Sequence, residues 1–219
     1  MKLSEKTIEL NICAQISKSV RQKVLWFGLT QVQEARAGFD AATSLNGRVI
    51  LFQFKASDTT MRSTGARRFM FEHSQLQKLI NRSGQRRRHV FYVLPMIGTT
   101  QELHSNNGNF ISQTWLLDVA GLPTPFPPPT IRNSSRVRAN YTHYADVLTV
   151  GRGATITIHS EPVEAKLIPL SEAVKYNFLP FEDVNMLSDF DGGRYGREEI
   201  ESDIKHLLNP GLQMAVLYH

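Results

Sequence analysis

The chain predicts an α/β (α+β) fold with a strand-rich carboxy-terminal extension, and three features of the sequence carry that expectation. Apolar residues recur at helical spacing before residue 21. Two β-prone runs then flank Asn46-Gly47, and a second helical pattern at residues 72–80 leads into an unbroken apolar run at residues 89–94. The resulting order of helix, three strands, helix and strand is that of a layered domain, with a partly parallel pairing after the second helix.

Ser4 is a good helix N-cap, and Ile8, Ile12, Cys13, Ile16 and Val20 follow at helical spacing, so residues 5–21 are expected to form an amphipathic helix. Glu9 shares a stripe with Cys13, Ile16 and Val20, which puts a carboxylate on the apolar side of the helix near its amino end. Charges are seldom buried unpaired. Glu9 is therefore either a metal-site carboxylate or a rim glutamate favoured by the helix dipole. Residues 24–32 are apolar and β-prone and are expected to form a strand, followed by strands at residues 39–42 and 49–54.

Asn46-Gly47 between the last two runs is a strong hairpin signal, because a type I′ turn requires positive φ at both central residues. With a two-residue loop Leu45 faces Arg48, and Asp40 lies opposite Gln53. One face of this register is apolar, with Phe39 opposite Phe54, Ala41 opposite Phe52 and Thr43 opposite Ile50. The other face carries Asp40, Gln53 and Lys55, with Val49 and Leu51 towards the turn. Diagonal neighbours across a hairpin lie ~7 Å apart, so Lys55 is expected to reach the space in front of Asp40 and Gln53. Gly38, opposite Lys55, leaves that space uncrowded.

A short helix is expected at residues 99–104 and a strand at residues 113–119. Five prolines in residues 123–129 force an extended or turned segment, a stiff connector or a PxxP ligand. Beyond it, residues 132–170 alternate polar and apolar side chains, most clearly at 154–159, and residues 197–208 have a helical pattern. The expected organisation is a core over residues 1–121, a connector over 122–131, and a strand-rich and acidic helical extension over 132–219. No internal repeat is found.

The 219 residues, 41% hydrophobic and 21% charged, suffice for one sizeable core. No apolar run is long enough to span a bilayer, and the amino terminus lacks the apolar stretch of a secretory signal, so no membrane partner and a cytoplasmic location are expected. The single cysteine, Cys13, excludes an internal disulfide and a cysteine-based zinc site. The net charge of +5 is unevenly spread. Residues 55–89 hold nine Lys or Arg against Asp58 and Glu72, whereas residues 182–203 hold eight acids against Arg194 and Arg197. A basic segment of this kind either meets nucleic-acid phosphates or is a solvated surface.

Assisted phosphodiester cleavage needs hard oxygen ligands around a divalent cation, with room for water and a phosphate oxygen. Asp40 offers a carboxylate, Gln53 a carboxamide oxygen and Glu9 a second carboxylate. Lys55 could stabilise charge on the phosphate or help deprotonate the attacking water. Read as structure alone, Asp40 starts a strand, and Gln53 and Lys55 belong to a solvated sheet face.

With Glu9 on a first helix, Gly38-Phe39-Asp40 opening a strand and Gln53-Phe54-Lys55 ending its partner, residues 5–120 resemble the PD-(D/E)XK nuclease superfamily. The pattern is most similar to the subgroup with glutamine in place of the second acid, found in Mrr-like restriction enzymes and many prokaryotic defence nucleases. The resemblance implies a restriction-endonuclease-like core, a helix followed by a mixed central sheet flanked by helices. It also implies cleavage assisted by Mg2+ or Mn2+, frequent dimerisation, and Asp40, Gln53, Lys55 and Glu9 as the catalytic and metal-binding set. Phe39 stands where the motif has proline, and the neutral Gln53 lowers the negative charge available to a metal.

The expected function is a metal-dependent DNA endonuclease of restriction or antiviral defence. Its alternative is an inactive nuclease-like subunit that binds nucleic acid or assembles with a partner protein of a defence complex. DNA is the expected polyanion, with RNA the other choice. Arg62, Arg67 and Arg68 are expected in a flexible loop that contacts phosphates, with Gln75 and Lys78 on the following helix and Arg86, Arg87 and Arg88 at a strand start. Other chemistries find no motif. The calcium-loop-like run from Asp189 lacks the required glycine and glutamate, with Arg194 and Ile200 there instead, and there is no HExxH, phosphate-binding loop or GxSxG.

Overall fold

Ser4 caps the first helix, α1 (Glu5–Ser19), by accepting the Thr7 N–H at 3.1 Å. Ile8, Ile12 and Ile16 are fully buried along one side of it, with Glu9 in the same stripe. In this computed structural model the described residues are 1–20, 23–45, 48–57, 66–83, 88–122, 145–150, 156–158, 161–163, 165, 167–176, 178 and 215–217.

The expected strand at residues 24–32 divides in two. Trp26–Gly28 forms β1, and Gln31–Ala37 forms a second helix, α2. Thr30 starts that helix with a capping box, its hydroxyl accepting the Gln33 N–H while the Gln33 side chain accepts the Thr30 N–H. Two backbone donors are thereby satisfied, which outweighs the β preference of the Val32 side chain left exposed to solvent. Gly38 ends the helix in the left-handed region, φ +83°.

The hairpin of β2 (Ala41–Leu45) and β3 (Arg48–Phe54) holds the expected register through all five pairs, from Leu45 opposite Arg48 to Ala41 opposite Phe52. Residues 46 and 47 lie outside the described residues. The alternation breaks one residue before the strand. The Asp40 N–H donates to the Phe52 carbonyl at 2.9 Å, its own carbonyl accepts the Leu29 N–H at 3.2 Å, and Phe39 crosses to the face opposite Ala41 and Phe52. Phe39 therefore does not stack opposite Phe54, as strict alternation predicts.

β4 (Arg67–Glu72) is a strand with alternate residues buried, replacing the loop expected there, and α3 (His73–Ser83) follows it directly. β5 (Arg88–Pro95) then runs parallel to β3, as the element order implies, and α4 (Thr100–Ser105) and β6 (Thr114–Asp118) complete the amino-terminal part. In the carboxy-terminal part β7 (Ala145–Val150), β8 (Ile156–Ile158), β9 (Glu161–Val163), β10 (Leu167–Pro169), α5 (Leu170–Lys175) and β11 (Ala215–Leu217) are described. The proline-rich segment 123–129, the acidic segment 182–203 and the helix expected at 197–208 lie outside the described residues.

The main sheet is mixed, in the order β10-β6-β5-β3-β2-β1-β11, and β4, β7, β8 and β9 form a second, antiparallel sheet. Strands of the extension thus complete both sheets. One face of the main sheet packs Ala41, Ile50, Phe52, Phe54 and Phe91 against α1 and α5. The other packs Ala42, Val49, Leu51, Val90 and Tyr92 against Leu76 and Leu79 of α3 and Phe69 and Phe71 of β4. The hairpin is therefore buried on both sides, with no solvated face. Each large apolar side chain so enclosed contributes about 1.5–3 kcal/mol. Among the described residues no helix is long and apolar enough to cross a membrane.

Candidate functional site

The hairpin register brings Asp40 against Gln53. The Asp40 Oδ2 accepts the Gln53 Nε2 and the Phe54 backbone N–H, each at 2.7 Å, and Gln53 Nε2 also donates to the Phe54 carbonyl at 3.2 Å. Both side chains are deeply buried. The Gln53 Oε1 is enclosed and has no hydrogen-bond partner, as are the Gln75 Oε1 and the hydroxyl of Tyr92, which pairs in register with Gln53 on β5. An enclosed carbonyl oxygen left unbonded costs about 1–3 kcal/mol, so each such polar atom is an expensive feature of an otherwise apolar interior.

Asp40 also lines an open cleft of about 400 Å³ between α1 and α2, together with Glu5, Lys6, Glu9, Leu29, Thr30, Gln31 and Glu34. Glu9, the oddity on the apolar stripe of α1, faces this cleft. Four carboxylates and one ammonium thus surround it. The Lys6 Nζ meets both Glu9 oxygens at 2.9 Å and lies 3.8 Å from the Glu34 Oε1. Glu34 is a lining carboxylate that sequence reasoning missed. Its signal was the Thr30-to-Gln33 capping box, which makes residues 31–37 helical and turns Glu34 towards α1.

Electrostatics follow from this crowding. Burial pushes the Asp40 carboxyl up to about 7; the Phe54 N–H draws it down, the Glu34 and Glu5 charges raise it, and the Gln53 amide lowers it. Burial also raises Glu34, Lys6 draws it back, and the charges of Glu9 and Glu5 add to the rise. For Lys6 desolvation favours loss of the proton, but the hydrogen bond and charge of Glu9, with Glu34 and Asp40 beyond, hold the ammonium above its ordinary range.

Lys55 follows β3, and its backbone N–H bonds the Val93 carbonyl at 3.1 Å, extending the parallel pairing by one residue. Its side chain is buried and makes no hydrogen bond or ion pair with the described residues, and it does not line the cleft. Gly38 does not clear a space for it. A Cβ there would lie 3.1 Å from the Lys78 Cβ, so the glycine serves the left-handed helix end and the close approach of α3. That approach sets Gln75 and Lys78 beside the segment leading into Asp40, with the Gln75 carbonyl 3.5 Å from the same point.

Arg62 lies outside the described residues, as do Arg86 and Arg87. Arg67 is not in a flexible loop: it is buried on β4, ion-paired with Glu102 of α4 and 3.4 Å from the Ser57 Oγ. Glu102 is held below its usual range. Burial opposes this, but the Gly98 N–H and the Arg67 guanidinium outweigh it. Arg68, one residue on, is exposed as strand alternation requires.

Fold and site together define a mixed α/β domain with a buried Asp40–Gln53 pair, of which Asp40 lines an acidic cleft. Comparison with protein families, with curated proteins and with solved structures finds no match for the chain.

The cleft offers oxygen donors, the ligand type that hard divalent cations take. Asp40 and Glu9 are oxygen ligands in one cleft, and beside Asp40 sits a carboxamide whose oxygen has no partner. Among the described residues no three His, Cys, Asp or Glu side chains converge as a ready metal cluster. The expected set holds only two carboxylates, its third member being the Gln53 carboxamide.

Proposed function

We propose that the protein is a metal-dependent nuclease of the PD-(D/E)XK type, with a restriction-endonuclease-like core, that hydrolyses DNA phosphodiester bonds in prokaryotic defence or restriction. The observation that carries this reading is the buried Asp40–Gln53 pair, with its unbonded carboxamide oxygen, of which Asp40 lines a carboxylate-rich cleft. Asp40, Glu9 and Gln53 would hold Mg2+ or Mn2+, which supplies Lewis-acid polarisation of a phosphate oxygen. Four carboxylates against one ammonium would otherwise repel a phosphodiester, so the cleft suits a polyanion only when further cationic charge is present.

Lys55 is assigned to the phosphate or the attacking water. Its side chain is buried and has no partner among the described residues, and a positive charge held there could stabilise charge that develops on the phosphate. The exposed Arg68, with Lys78 and Gln75 on α3, is assigned to the flanking phosphates.

The test is cleavage of supercoiled and linear DNA, with RNA in parallel, in Mg2+ or Mn2+. The wild type is expected to leave phosphate-bearing ends, and Lys55→Ala and Asp40→Asn to lose cleavage while remaining folded by circular dichroism. Equal cutting by wild type and both variants overturns the site. A gel shift that survives chelation, with no nicking in either metal, identifies a nuclease-like binding subunit instead.

A further inference from the structure

The buried Lys55 side chain has no polar contact among the described residues to hold it, but its main chain is held from three elements just past the end of β3. The Lys55 N–H donates to the Val93 carbonyl of β5 at 3.1 Å, and the Ala56 N–H donates to the Glu5 Oε1 of α1 at 3.3 Å. The Ser57 Oγ accepts the Arg67 Nη1 of β4 at 3.4 Å, and with Ser57 3% and Arg67 7% exposed this contact is enclosed. The guanidinium is itself fixed. Its Nη2 donates to the Glu102 Oε1, while the Glu102 Oε2 accepts the Gly98 and Thr99 N–H groups at 2.8 and 3.1 Å. Gly98 closes the corner, since a Cβ there would lie 2.5 Å from the Ser57 Oγ and 2.8 Å from the Arg67 Nη1.

We propose that Arg67 and Ser57 are positioning residues that hold Lys55 in place for the reaction, acting through the main chain of residues 55–57. This inference rests on the assignment of Lys55 to the phosphate or the attacking water. An ammonium on a flexible four-carbon stem acts at a fixed point only if the backbone that carries it is fixed. Ser57 and Arg67 stand on either side of residues 58–65, so their contact ties the end of β3 to the start of β4. β4 in turn takes its place from antiparallel pairing with β7, from Arg67 opposite Val150 to Glu72 opposite Ala145. The second sheet is thereby part of the frame that aims Lys55, a use for the carboxy-terminal extension beyond completing the sheets.

Ser57→Ala removes only the acceptor oxygen, whereas Arg67→Lys keeps a charge for Glu102 and loses the planar fork that spans both partners. Single-turnover cleavage of DNA in Mg2+ is expected to slow about 10-fold for Ser57→Ala and about 10–100-fold for Arg67→Lys, the range a misplacement of about 1 Å produces. DNA affinity by gel shift should not change. Ile16→Val, a packing change in the buried stripe of α1, should lower the melting temperature and leave the rate as it is. A second readout needs no activity. Lysine acylation followed by peptide mass spectrometry should label Lys55 several-fold faster in Ser57→Ala than in wild type, with the exposed Lys18 unchanged.

Wild-type rates in Ser57→Ala and Arg67→Lys, where Lys55→Ala is inactive, overturn the positioning role and leave the nuclease reading standing. A slower rate with Lys55 labelling unchanged does the same, as does an equal loss in Ile16→Val, which would trace the effect to stability. No cleavage by the wild type in Mg2+ or Mn2+ overturns the nuclease reading and this inference with it. If Arg67→Lys does not fold, Ser57→Ala decides alone, since it takes away one oxygen and leaves the Arg67–Glu102 pair in place.

Discussion

Replacing Asp40 by asparagine should stabilise the metal-free protein at neutral pH, even though the same change removes a proposed metal ligand. In the folded chain burial dominates and carries this carboxyl from its ordinary 3.8 to about 7. That rise corresponds to about 4 kcal/mol that folding loses once the group is ionised in both states. The folded state binds the proton more tightly than the unfolded state between these two values. Wild-type stability therefore falls as pH rises from about 4 to about 7 and levels off above. A carboxamide keeps an oxygen to accept the Gln53 Nε2 and the Phe54 N–H, both 2.7 Å from Oδ2 in the wild type, and carries no charge to desolvate. The gain from Asp40→Asn should thus be about 1–2 kcal/mol near pH 5 and approach 4 kcal/mol by pH 8. Urea unfolding of both proteins at three pH values, in chelator, measures it. A difference that does not change with pH, or a variant less stable than wild type at pH 8, refutes the claim that burial of the Asp40 charge dominates.

The ion pair between the buried Arg67 of β4 and the partly exposed Glu102 of α4 gives two further predictions. Arg67→Ala should cost about 1–2 kcal/mol in urea unfolding, chiefly because it empties a packed site while Glu102 keeps access to solvent, and it should leave DNA affinity unchanged where Arg68→Ala weakens it; the reverse pattern restores Arg67 as a phosphate contact. Since Glu102 is held below its ordinary 4.5, the pair's contribution is complete above that value and is lost as pH falls through the lowered one. The stability difference between wild type and Glu102→Gln should therefore vanish in acid, and a constant difference refutes the pairing. Gly98→Ala should lower the melting temperature by several degrees, the effect of about 1–3 kcal/mol of overpacking, since the new methyl would lie 2.5 Å from the Ser57 Oγ and 2.8 Å from the Arg67 Nη1. An unchanged melting temperature would mean that this corner gives way freely.

Local signals in the sequence carried the hairpin because a two-residue Asn-Gly turn leaves a single register, and that register sets Asp40 beside Gln53. The first helix was legible for a similar reason, since a capping serine and a 3.6-residue stripe need no distant partner. Other elements depended on partners far along the chain. β4 pairs with β7, more than seventy residues away, and only that pairing turns Arg67 inward to Glu102 and Arg68 outward. The burial of both hairpin faces likewise waited on α3 and β4, and Val49 and Leu51 in the strand were its only local hint.

Sequence alone therefore determined the α/β class, the hairpin register and the pairing of Asp40 with Gln53, all set by interactions between residues close along the chain. The tertiary structure decided the acidic cleft, because Glu5, Lys6 and Glu9 on α1 and Glu34 on α2 meet Asp40 only when both helices pack over the hairpin. It also decided which charge lies on Glu9. A long flexible side chain takes its position from the field of the assembled fold, and no pattern of spacing along the chain encodes it.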